Sequence, residues 1–266
     1  MREDQVPGPP PRRVDLFGCA FDVVDMDSAV ARVEQFIASG LLHQGCGVNV
    51  DQLVKMKDEP YFREIVAACD LVTADGTPVV WASKLFGKHL PERVAGIDLF
   101  EALLPVSEKK GYKVFLLGTK PEILEKAREV YQERYPGLQI VGHHHGYYKQ
   151  EDEPEIARQI EESGAQLLFI AITSPKKEEF VDRNRKALSG VGFVLGVGGS
   201  FDIAAGVYDR APDWMAKAGI EWTYRLWQEP KRMYKRYLVE DSKFLGMLAK
   251  QAYYEATGKF PGKGSK

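Results

Sequence analysis
Apolar residues recur along this chain in two patterns, as short continuous runs and as positions three or four apart. The runs predict strands, and the spaced positions predict helices. Val14-Asp15-Leu16-Phe17 and Ala20-Phe21-Asp22-Val23 read as two short strands. Val30, Val33, Phe36 and Ile37 then share one face of a helix that Asp27 or Ser28 would cap and that runs to about Ser39. Gly47-Val48-Asn49-Val50 reads as a strand, 52–56 and 61–69 as helices, Leu71-Val72-Thr73 as a strand, and the stretch through Trp81 to Phe86 as a helix. In the second half, strands at 113–117, 139–141, 167–172 and 192–197 are separated by helices at 123–134, 154–162 and 177–188. Runs such as Leu167-Leu168-Phe169-Ile170-Ala171 suit strands covered on both faces. The expected fold class is α/β, a Rossmann-like parallel sheet with flanking helices. After Val197 the strand pattern stops, and from Trp214 the chain turns aromatic, basic and helical in character.

The expected organisation is a disordered lead-in at 1–13, an α/β core at 14–212, a helical C-terminal appendage at 213–258 and a frayed tail at 259–266. A chain of 266 residues can bury a substantial core without staples. Cys19, Cys46 and Cys69 are too few and too widely spaced for a disulfide framework or a CxxC metal knuckle, so a reducing cytoplasm is the expected setting. The polar, Pro-rich start has no apolar stretch of a signal peptide. No run approaches the roughly 18 to 20 apolar residues of a membrane span. A net charge of −2 argues against a nucleic-acid coat. Charge is nevertheless uneven, because residues 217–266 carry eleven Lys/Arg against five acids, a surplus of +6 that leaves −8 on the remainder. A basic tail on an acidic body is expected to meet phosphates or an anionic lipid surface.

Familiar signatures fail. Gly196-Val197-Gly198-Gly199-Ser200-Phe201 has Phe where a GxGxxG fingerprint needs its last Gly, which disfavours a nicotinamide-dependent oxidoreductase. Asp202 likewise breaks a GxSxG nucleophile elbow. His143-His144-His145 point in successive directions and suit a polar cleft better than one metal ion. Asp25-Met26-Asp27 has the DxD form of metal-dependent sugar transferases, but it precedes a helix and is expected to cap it. Three turns remain at predicted strand ends: Leu117-Gly118-Thr119-Lys120-Pro121, Ile172-Thr173-Ser174-Pro175-Lys176 and Val197-Gly198-Gly199-Ser200-Phe201-Asp202. Along one sheet edge they would form a cradle for a nucleoside diphosphate, with backbone amides facing phosphate. Asp75 follows a buried strand within Thr73-Ala74-Asp75-Gly76-Thr77, where it is either a turn or cap residue or a general base.

Five longer stretches carry a resemblance: 70–76, 91–100, 196–202 with Ala205-Gly206, Arg210-Ala211-Pro212, and 221–237 from Glu221-Trp222 through Pro230-Lys231-Arg232 to Tyr237. In this order they resemble the WecG/TagA/CpsF glycosyltransferases, glycosyltransferase family 26, over roughly 14–238. The resemblance implies an inverting transferase moving a sugar (N-acetylmannosamine, its uronic acid or glucose) from a UDP-sugar to a polyprenyl-diphosphate-linked saccharide. The setting it implies is the cytoplasmic face of a bacterial membrane, in exopolysaccharide or teichoic acid synthesis. By correspondence Asp75 is the base, with Asn49 and Arg93 beside it in the catalytic set. Asp98, Gly118, Thr119, Pro175, Lys177, Glu178, Gly198, Gly199 and Asp202 are expected to line the substrate site. Arg225, Arg232 and Arg236, seven and four residues apart, share a helical face and are expected to stabilise departing UDP without a metal or other cofactor. Trp222, Trp227, Tyr234 and Tyr237 would seat this segment at the inner leaflet or over the cleft, and self-association is left open. The chain departs from the family pattern at Gly47, where Thr is usual, and at Lys177, where Gln is usual. Lys177 would suit an acidic or more highly phosphorylated ligand. The runner-up class is a catalytically degenerate protein that binds a sugar nucleotide or lipid diphosphate.

Overall fold
The computed structural model describes residues 6–212, 214–215, 220–228, 230 and 243–258, without the side chain of Arg225. Strands β1 (Arg13–Leu16) and β2 (Cys19–Asp22) form an antiparallel hairpin. Six further strands build one parallel sheet: β3 (His43–Val48), β4 (Leu71–Ala74), β5 (Lys113–Gly118), β6 (Gln139–His144), β7 (Leu167–Ala171) and β8 (Phe193–Gly196), in spatial order β4-β3-β8-β7-β5-β6. The expected α/β class is what the chain adopts.

Alternation within the strands makes the sheet two-sided. Val114, Leu116, Leu167, Phe169, Phe193 and Leu195 join one core, and their neighbours Phe115, Leu117, Leu168, Ile170 and Val194 join another on the opposite face. The first face is covered by α1 (Met26–Ser39), α5 (Gly96–Lys110), α6 (Pro121–Arg134) and the short α9 (Ser200–Ala204). The second carries α2 (Val50–Asp58), α3 (Pro60–Ala67), α4 (Thr77–Leu85), α7 (Glu153–Glu162) and α8 (Lys176–Arg183). Of the appendage, α10 (Glu221–Gln228) and α11 (Lys243–Thr257) are described. Phe244 anchors α11 by entering the core beside Phe17, ring centroids 5.0 Å apart.

Several sequence expectations move. The α1 cap is Asp25, not Asp27 or Ser28: its carboxylate accepts from the Ser28 amide at 2.9 Å, and the Ser28 Oγ accepts from the Asp25 amide at 3.0 Å. Those bonds hold the Asp25 carboxyl below its ordinary range. The strand expected at 47–50 is β3, and it ends at Val48 because Asn49 begins the next helix. Helix α5 has no counterpart among the elements the pattern predicts: Gly96 at its start and Pro105 inside it oppose a helix locally, and burial of Leu99, Phe100, Leu103 and Leu104 overrides them. His143 and His144 belong to β6. Within the expected disordered lead-in, Val6 is buried in the first-face core and Arg13 opens β1. The expected frayed tail, 259–266, lies outside the described residues.

Candidate active site
All six strands point the same way, so the segments leaving β4, β3, β8, β7, β5 and β6 collect along one edge. After β3 the chain enters α2 on one face, whereas after β8 it enters α9 on the other. Adjacent strands whose connections leave to opposite faces open a crevice between them, the usual ligand position in such sheets.

On the β4 side, Asp75 follows the last strand residue, and its amide donates to the Val48 carbonyl at 3.0 Å. Its half-buried carboxylate lies over Gly47: a Cβ there would stand 3.2 Å from Asp75 Oδ2. The N-cap of α4 is Gly76, with no side-chain cap bond, so Asp75 does not serve as that helix's cap. Asn49 caps α2 in a reciprocal box with Gln52; Oδ1 accepts from the Gln52 amide at 3.2 Å, and Gln52 Oε1 accepts from the Asn49 amide at 2.9 Å. Gly76 lies against Asn49, its Cβ position 3.5 Å from that of Asn49. Asp75 and Asn49, 26 residues apart in sequence, are thus held side by side by the β3–β4 pairing.

The stretch 91–95 runs along the end of β4, the Thr73 hydroxyl donating to Val94 O at 2.8 Å and the Val94 amide to Ala74 O at 3.0 Å. It then enters α5 beneath the end of β8, where a Cβ on Gly96 would stand 2.4 Å from Gly196 O. Only glycine permits that approach. Arg93 and Asp98 flank this crossing, with Arg93 Nη2 2.6 Å from Asp98 Oδ2. The other Asp98 oxygen is taken by Arg210, and Arg93 Nη1 stands 3.5 Å from Glu221 Oε2 on α10. Asp98, expected to bind substrate, has each of its oxygens engaged by an arginine.

The three turns differ. Gly118 has φ 143° and Thr119 φ 48°, and a Cβ on Gly118 would lie 2.4 Å from Ala171 O. Thr119 donates its hydroxyl to Asp202 Oδ1 at 3.1 Å, joining the first and third turns. Gly198, at φ 56°, and Gly199, the α9 N-cap, are exposed. Ser174, in contrast, is a hub: it accepts from Gln52 Nε2 at 3.3 Å and from Lys177 Nζ, and donates to Glu178 Oε1 at 2.8 Å. Lys177 also pairs with Glu178 at 2.9 Å, its arm crossing the place a Gly196 side chain would fill. Pro175 is the residue before α8. The Lys177 charge, expected to face a ligand, is therefore balanced inside the fold by a carboxylate 3% exposed. Gln52 was missed, although the Asn-x-x-Gln spacing of a capping box was readable.

Arg232 and Arg236 lie outside the described residues, and so does the side chain of Arg225, whose backbone belongs to α10. His143 faces Glu125 at 3.2 Å, and His144 Nδ1 meets His145 O at 2.8 Å. Among the described residues no cluster of three His, Cys, Asp or Glu side chains suits a metal ion. No helix among them is long and apolar enough to cross a membrane.

An open parallel α/β sheet with a crevice at its switch point, and with a carboxylate and glycine turns along the same edge, has the architecture of an enzyme handling a nucleotide-bearing substrate. Residues 14–257 match the Glycosyl transferase WecG/TagA/CpsF family, and the chain belongs to that family. It is a glycosyltransferase of cell-surface polysaccharide synthesis.

Proposed function
We propose that the chain transfers a sugar from a UDP-sugar to a polyprenyl-diphosphate-linked saccharide in one inverting step, with Asp75 as general base. The observation that carries this reading is the position of the Asp75 carboxylate, half-buried at the strand-end edge over Gly47 and next to the loop that holds Asn49. Asp75 takes the proton of the acceptor hydroxyl, the freed oxygen bonds to the anomeric carbon from the face opposite UDP, and the carbon–oxygen bond to UDP breaks. The donor lies along the sheet edge toward Thr119 and Asp202, four strand spacings from Asp75 or about 19 Å. That span leaves room for sugar, diphosphate and nucleoside in line. The family's general pairing of a sugar-nucleotide donor with a lipid-linked acceptor supports this assignment of substrates. Arg225, Arg232 and Arg236 are assigned to the charge that develops on departing UDP. Trp214, Trp222 and Trp227, all exposed, support contact of the appendage with a membrane surface.

The test is a mass-resolved transfer assay of the full chain with a panel of UDP-sugars and a short-chain polyprenyl-diphosphate N-acetylglucosamine. Asp75→Asn is expected to cut turnover by about 10²- to 10⁴-fold while leaving UDP binding intact. Near-normal transfer by that variant would remove Asp75 from the role of base.

A further inference from the structure
Four charged side chains from four parts of the chain meet where the 91–95 stretch enters α5. Arg93 comes from that stretch, Asp98 from the first turn of α5, Arg210 from the segment after α9, and Glu221 from the start of α10. Two guanidinium groups share the single carboxylate of Asp98, one on each oxygen. One negative charge thus orders two positive ones, and the second carboxylate, Glu221, reaches Arg93 only at 3.5 Å. Arginines fixed this way, Arg93 half-buried and Arg210 exposed, present planar forks whose remaining N–H groups match phosphate oxygens. The location also fits. Val94, next to Arg93, bonds the residue before Asp75, and Gly96, two residues before Asp98, touches the last residue of β8. Arg210 is the more open of the pair, its side chain 43% exposed against 19% for Arg93. Its segment is clasped to α10 through Asp209, whose amide donates to Gln228 Oε1 at 3.1 Å and whose carbonyl accepts from Gln228 Nε2 at 2.9 Å.

We infer that Arg210 is a diphosphate-binding residue, paired with Arg93 and positioned by Asp98, with the Glu221 carboxylate standing where a phosphate oxygen would bond Arg93. An arriving diphosphate takes the Arg93 Nη1 contact from Glu221 and bonds Arg210 with its second phosphate, while Asp98 keeps both guanidiniums aligned. This deepens the proposed function and rests on it for the source of the diphosphate, which is either the nucleotide or the lipid carrier.

The experiment measures binding of uridine, UDP and farnesyl diphosphate to the full-length wild type, Arg210→Gln and Arg210→Lys by calorimetry. Arg210→Gln is expected to weaken one diphosphate at least tenfold, about 1.4 kcal/mol, with Arg210→Lys between it and wild type. Loss confined to UDP, with uridine unchanged, assigns the site to the donor. Loss confined to farnesyl diphosphate assigns it to the carrier. An Arg210 that merely ties its segment to α5 would leave both diphosphate affinities unchanged or lower uridine equally, and either result overturns the inference. Asp98→Asn gives a second variant in which Arg210 survives but loses its anchor, and it should weaken the same diphosphate. Asp75→Asn, which should bind diphosphate normally while losing transfer, separates failure of this site from failure of the proposed reaction.

Discussion
Two turns with nearly the same sequence grammar, 117–121 and 172–176, have been put to opposite uses. Each follows a buried strand, carries a small hydroxyl residue and leads through proline and lysine toward a helix. In the first, left-handed backbone at Gly118 and Thr119 turns the chain tightly against Ala171 and aims a hydroxyl at Asp202. In the second, the hydroxyl of Ser174 is absorbed in a network with Gln52, Lys177 and Glu178. The first turn is formed by backbone conformation, with Gly118 and Thr119 buried and Thr119 joined to Asp202 on the neighbouring turn. The second is filled by its own side chains and joins α8 to the cap of α2. A strand–turn–helix signature therefore specifies a place at the sheet edge; what occupies that place depends on residues from elsewhere.

The contrast can be tested at four positions. The largest effect is expected at Gly118→Val, where a β-branched side chain meets both a positive φ and a carbonyl oxygen 2.4 Å from its Cβ position. A loss of about 4 kcal/mol or more, or failure to fold, should appear in denaturant unfolding. Lys177→Ala should cost about 3 kcal/mol, because it strands the Glu178 carboxylate, 3% exposed, without its cation. The double variant Lys177→Gln with Glu178→Gln should recover most of that loss; if it does not, the pair is not the reason for the cost. Gln52→Ala removes the strut between the two loops and is expected to cost about 1–2 kcal/mol. It should also lower kcat more than it raises the donor KM, through Asn49. Smallest is Thr119→Val, about 1 kcal/mol for the bond to Asp202. If the first turn holds donor, this variant raises the donor KM while Lys177→Gln, at the filled turn, leaves it nearly unchanged.

Local pattern carried far because most elements here are decided locally. The strands of continuous apolar residues could only be buried on both faces, so a parallel sheet and a single ligand edge followed. Asp75, Asn49 and the glycine turns then had to share that edge. Asn49 and Gln52 are also locally linked, three residues apart, but the extended backbone of an N-cap reads like the end of a strand, which hides Gln52 behind the 47–50 pattern. Helix α5 was hidden for the converse reason: Gly96 and Pro105 oppose a helix locally, and burial of four large apolar residues against the sheet decides in its favour.

The amino-acid order by itself determined the class of fold, the sheet edge that carries the candidate residues and the family, since periodicity and ordered motifs are properties of neighbours in the chain. Only the tertiary structure decided which charges are spent and which are offered. Asp98 and Arg210 lie 112 residues apart, and only the fold makes Asp98 a shared partner of Arg93 and Arg210. Lys177 likewise became an internal counter-ion because Gly196, Ser174 and Glu178 closed around it. Electrostatic roles depend on distances between side chains, and those distances exist only once the sheet has assembled.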